Sequence, residues 1–125
     1  MNKLKKSPLT ISETLKLSRQ LYALHKHEWK ELTPESNIYF VGWLVAEIGE
    51  VLDVIKKKGV DKIMNDPSTR NEMLEEISDC YMYLADILNR YQYTAEEFGD
   101  AYRKKMNHNL KRDYSKSQTR KDKRK

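Results

Sequence analysis

One cysteine, four glycines and three prolines in 125 residues exclude several kinds of protein before any pattern is considered. A lone thiol, Cys80, forms no disulfide within the chain, so a disulfide-stapled secreted domain is excluded and a reducing, cytoplasmic setting is expected. Glycine and proline fall at proposed helix boundaries or along one helix face, and no alternating β-branched run is framed by turn signals, so no sheet is expected. The longest apolar stretch, residues 38–46, is far too short to cross a bilayer, and the opening MNKLKKSPLTISE has no apolar run after its charges, unlike a signal peptide. None of the three histidines, His25, His27 and His108, lies three residues after a glutamate, which disfavours the Glu-x-x-His di-iron type of bundle.

What is present is charge, at 34% of residues, beside 38% apolar residues, enough for one small core. The net charge of +5 would ordinarily suggest a nucleic acid or a membrane surface as partner. Its distribution says otherwise. Residues 1–9 carry net +3 and residues 111–125 net +6, so residues 10–110 are acidic, at net −4. We therefore expect a basic N-terminus over 1–9, a folded domain over 10–112 and a basic, disordered tail over 113–125, with nucleic acid a poor candidate for the folded part.

Four helices are readable. Thr10-Ile-Ser-Glu13 is a capping box ahead of apolar residues at Leu17, Leu21 and Leu24, giving a helix to about Trp29. Thr33-Pro34 opens a second, closed by Lys56-Lys57-Lys58-Gly59, where lysines meet the negative helix end and glycine permits the stop. Asp66-Pro67 opens a third that continues to about Tyr91, and Thr94-Ala-Glu-Glu97 boxes a fourth that fades near Lys111. The expected fold class is all-α, a four-helix bundle with short connections.

Projected at about 100° per residue, the second helix places Glu47 and Glu50 inside an apolar arc with Phe40, Trp43, Val51 and Val54. Gly42, Ala46 and Gly49 lie opposite, and Leu44, Ile48, Leu52 and Ile55 complete the circumference. A helix apolar on nearly every side is expected to be buried nearly all round, which four short helices from one chain do not achieve, so a homodimer is the minimum expectation. On the third helix, Glu72, Glu75, Glu76, Asp79, Tyr83 and Asp86 share one side, with Leu74, Ile77, Cys80, Tyr81, Leu84 and Leu88 on the other. Glu76 and Asp79, like Glu47 and Glu50, are three apart and project from adjacent turns. The same spacing at Glu28/Glu31, Glu72/Glu75 and Glu97/Asp100 shows that spacing alone is common. The apolar setting distinguishes Glu47 and Glu50, because buried carboxylates need a cation, a proton or a basic partner. Two such pairs facing each other form a hard-cation site suited to Mg²⁺ or Mn²⁺.

The segment Trp43-Leu-Val-Ala-Glu-Ile-Gly-Glu-Val-Leu-Asp, then Leu74-Glu-Glu-Ile-Ser-Asp-Cys-Tyr-Met-Tyr-Leu, then Lys105-Met-x-x-Asn109-x-x-Arg112 resembles the motif series of the MazG-like all-α nucleoside triphosphate pyrophosphohydrolases. The resemblance spans about 10–112, and its specific part is the pair of acidic motifs. It implies a MazG-like bundle assembling as a dimer or a dimer of dimers, with Mg²⁺ held by Glu47, Glu50, Glu76 and Asp79. It also implies hydrolysis of a nucleoside triphosphate to monophosphate and pyrophosphate. Asp113 stands where a proline often follows the terminal arginine.

The chemistry suits the residues on its own terms, since cations that neutralise a triphosphate and lower the pKa of water supply most of what its hydrolysis requires. Glu47 or Glu50 is the expected general base. Lys105, Asn109 and Arg112 are expected to contact phosphate or sugar. Trp29, Tyr39, Trp43 and Tyr83 are candidates for the base, Trp43 and Tyr83 foremost, whereas Tyr22, Phe40, Tyr81 and Phe98 are expected in the core. Two alternatives remain at this stage: a helical nucleic-acid-binding or regulatory module using the basic tail, and a metal-free interaction scaffold.

Overall fold

The computed structural model describes residues 7–113. Among them there are only helices: α1 (Ile11–His25), a 3₁₀ turn (Pro34–Ser36), α2 (Asn37–Lys58), α3 (Val60–Asn65), α4 (Pro67–Arg90) and α5 (Ala95–Lys111). Of the described residues, those up to Thr94 form one compact unit, and those from Ala95 form a second. Most of the expected basic N-terminus and tail, residues 1–6 and 114–125, lies outside the described residues.

The start signals act as their chemistry dictates. The Thr10 hydroxyl accepts from the Glu13 amide at 3.1 Å while the Glu13 carboxylate reaches back to the Thr10 amide at 3.4 Å. Asp66 accepts from both the amide and the hydroxyl of Thr69, at 3.0 and 2.6 Å, which holds its carboxyl below the usual range.

Three boundaries differ from the sequence reading. α1 stops at His25, where the amides of Glu28 and Trp29 both turn back onto the His25 carbonyl and the His25 and Trp29 rings stack at 4.9 Å. Pro34 starts a 3₁₀ turn before α2 proper begins at Asn37. The expected four helices become five, because Gly59 at φ 84° breaks the chain and the next six residues form the separate helix α3.

Within the first unit α4 is central, with α2 and α1 both packed along it. The apolar core is small: Leu15, Phe40, Val54, Met73 and Ala85 are the buried apolar residues among those described. Polar side chains supply much of the join. Asn89 accepts from Arg19 at 3.1 Å and donates to the Leu15 carbonyl at 3.0 Å, tying α4 to α1. The fully buried Asn37 amide donates to the Ile87 carbonyl at 3.1 Å, so the start of α2 lies against the end of α4 and the two helices run antiparallel.

Within the single chain α2 is not buried nearly all round. Ile38 (75% exposed), Val41, Val45 (64%), Ile48, Leu52 and Ile55 remain in solvent, at alternating spacings of three and four residues. On α4, Leu74, Ile77, Tyr81 and Leu84 repeat that spacing and are also open. Tyr81, expected in the core, is 69% exposed. Each stripe sits about 100° round its helix from the α2–α4 contact line and in the same rotational sense, which for antiparallel helices puts both on one side of the pair.

Candidate functional site

The antiparallel packing of α2 on α4 brings Glu47 opposite Glu76 and Asp79. One carboxylate oxygen from each of these three half-buried residues lies within 4.8 Å of the other two. Burial, then the charges of Asp79, Glu50, Glu47 and Glu72, raise the Glu76 carboxyl above its ordinary value. Three hard oxygen donors gathered from two helices form a donor set that fits a divalent cation taking its remaining ligands from water and phosphate.

Glu50, one turn beyond Glu47, is exposed and stands outside this group of three, although its charge still bears on Glu76. Cys80 and Tyr83 border the acids on α4. Burial first, and then the nearby carboxylates, push both the thiol and the phenol up, so both stay protonated near neutrality.

Trp43, exposed and one turn before Glu47, lies edge-on to Phe40 at 4.9 Å and 6.3 Å from the Tyr39 ring. Tyr83, one turn after Asp79, has its ring centroid 6.4 Å from that of the buried Phe40. The aromatic residues nearest the acids are thus centred on Phe40. A shallow, solvent-open cavity of about 480 Å³ is bounded by Trp29, Lys30, Glu31, Glu35, Ser36 and Tyr39, the last one turn before Trp43 on α2. Lys30 Nζ sits 4.2 Å above the Tyr39 ring.

Lys105 and Asn109 share one face of α5, one turn apart, and the Arg112 amide donates to the Asn109 carbonyl just past the helix end. α5 belongs to the second unit. His25 and His27 pair with Glu28 at 3.6 Å and lie outside the acidic group.

Sequence reasoning missed Arg90. It is fully buried, its Nε donating to Asp86 at 2.6 Å and its plane lying 3.5 Å above Phe40. The available signal was Asp86 and Arg90 four apart on the acidic face of α4, where an arginine among buried acids reads as a partner.

No protein-family model, curated protein or solved structure matches this chain. Among the described residues no helix is long and apolar enough to cross a membrane.

Proposed function

We propose that this chain is a Mg²⁺-dependent nucleoside triphosphate pyrophosphohydrolase of MazG-like type, with Mn²⁺ an alternative cation, acting in the nucleotide pool of the cytoplasm as a homo-oligomer. The observation that carries the reading is the convergence of Glu47, Glu76 and Asp79 from two antiparallel helices. A bound cation would neutralise triphosphate oxygens and acidify water at this point. Glu47, Glu76 and Asp79 would hold it. Glu50, adjacent and outside that group, is the proton acceptor that best fits its place, with Glu47 the other candidate. Water attacks the α-phosphorus, the α–β bridging P–O bond breaks, pyrophosphate leaves with the bond's electrons and the glutamate takes the proton.

Trp43 and Tyr83 flank the acids on the side toward the Trp29–Tyr39 cavity. Tyr39 and Glu47 are eight residues apart on α2, about 12 Å along the helix, comparable to the reach of a nucleotide from base to phosphates. That span favours the cavity for the base, while the expectation that Lys105, Asn109 and Arg112 contact phosphate or sugar rests on the sequence alone. The two apolar stripes support association of copies through α2 and α4, as a dimer or a dimer of dimers. Pyrophosphate release from a panel of ribo- and deoxyribonucleoside triphosphates with Mg²⁺ tests the reading, with Glu47→Gln and Asp79→Asn each expected to lower the rate at least about a hundredfold. Undiminished activity in both variants overturns it.

A further inference from the structure

The segment between α1 and α2 carries walls of the cavity but makes little regular structure of its own. Within it, Thr33 and Ser36 amides bond to the Glu31 and Thr33 carbonyls, and the Leu32 amide is held by the Tyr22 hydroxyl at 3.1 Å. Its main tie to α4 is Arg90. The guanidinium donates to Ser36 Oγ at 2.6 Å, to the Glu31 carbonyl and, at 3.4 Å from both terminal nitrogens, to the Lys30 carbonyl. Lys30, Glu31 and Ser36 are themselves cavity residues. Asp86 fixes the Nε side of the fork, and the guanidinium plane rests on Phe40, which also meets the Trp43 ring, one turn before Glu47, in a T-shaped contact at 4.9 Å. A fully buried arginine is costly to desolvate, and here Nε is spent on Asp86 and both terminal nitrogens on one segment, with an aromatic ring against the guanidinium face.

We infer that Arg90 is a positioning residue for the nucleotide, holding the Lys30–Ser36 wall of the cavity and, through Phe40, the Trp43 ring in fixed relation to the acids. The inference rests on the nucleotide reading above. Arg90 touches neither the acids nor the cavity opening, and it acts through the groups it grips. Its planar fork is what the role requires: lysine keeps the charge but offers no second arm to span Asp86 and the 30–36 segment together.

The test compares wild type, Arg90→Lys and Ser36→Ala on the nucleoside triphosphate that wild type cleaves fastest. Arg90→Lys is expected to raise KM about tenfold with kcat within about twofold and with the Mg²⁺ half-saturation unchanged, because the retained charge beside Asp86 and the Asn37–Ile87 bond keep the α2–α4 alignment and with it the cation site, while a wall displaced by an ångström weakens orientation of the base. Fluorescence of Trp29 and Trp43, the two tryptophans of the chain, reports the same loss of nucleotide binding directly. Ser36→Ala removes one acceptor and leaves the buried ion pair, so it carries the test if Arg90→Lys does not fold, with KM raised about threefold. An unchanged KM and unchanged fluorescence titration in the folded variant overturn the positioning role while leaving the hydrolase reading standing. A wild type that cleaves no nucleotide overturns both.

Discussion

Replacing Ile48 by lysine places a charge at the middle of the α2 stripe, where the single chain leaves the isoleucine 54% exposed. Roughly 100 Å² of that side chain is open, which at about 25 cal/mol per Å² is worth about 2.5 kcal/mol when a partner covers it. A symmetric pair loses this twice, about 5 kcal/mol, so the dissociation constant should rise by between three and four decades before the cost of burying two ammonium groups is added. The stripes as a whole leave roughly 1,000 Å² of apolar side chain open per chain, more than the about 800 Å² each partner contributes to a standard interface. Sedimentation velocity from sub-micromolar to tens of micromolar protein measures the effect. Wild type should associate across this range and Ile48→Lys should sediment as a monomer that keeps its helical circular dichroism, since position 48 is half in water within one chain. With five buried apolar residues in the described core, wild-type Tm should also rise with protein concentration and the variant's should not. Monomeric wild type at tens of micromolar, or an Ile48→Lys variant that sediments like wild type, refutes the reasoning.

Two further expectations concern the site and the helix surface. Mg²⁺ should raise Tm more at pH 7.5 than at pH 5, because the Glu76 carboxyl titrates above its ordinary 4.5 and a protonated acid is lost to the cation; without Mg²⁺ the sign reverses, the contribution of Glu76 to stability falling as pH rises from 4.5 through its raised value. Calorimetry with and without Mg²⁺ checks both, and an equal Mg²⁺ gain at the two pH values contradicts the assignment. Gly42→Ala, made in the monomeric Ile48→Lys background, should add about 0.5–1 kcal/mol in urea denaturation, since a Cβ there meets no atom within 4 Å and alanine favours the helix. A loss of stability would show that position 42 is crowded within one chain.

Element existence was legible because each start carried its own local chemistry: Thr10 with Glu13, and Asp66 ahead of Pro67 and Thr69, make bonds that depend on only a few neighbouring residues. The end of α1 was not, since no glycine or proline marks His25 and the turn beyond it depends on Trp29 stacking back. α3 was missed for the opposite reason: Gly59 reads as a stop, and six residues are too few for a periodic pattern. The acids were visible as two spaced pairs, but periodicity assigns faces to single helices and not depth between them, so the grouping of Glu47 with Glu76 and Asp79 and the exposure of Glu50 emerge only from packing. Tyr81 fell on the apolar side of α4, and that side meets solvent in one chain. Arg90 escaped because its partners are mostly backbone carbonyls some sixty residues away, which no local pattern encodes.

The bond from Asn37 to Ile87 and the grip of Arg90 on the segment before α2 lie at one end of the α2–α4 pair, ten residues, or about 15 Å, from Glu47. Apolar side chains along two helices tolerate sliding, and a shift of one turn, about 5.4 Å, would exchange one set of hydrophobic contacts for another of similar worth. It would also strand a buried guanidinium and a buried amide, a far larger penalty. These polar contacts therefore act as the index pin of the hairpin: they select the one alignment in which three carboxylates that repel each other must share a small volume. The spacing of the acids is set by groups that never touch them.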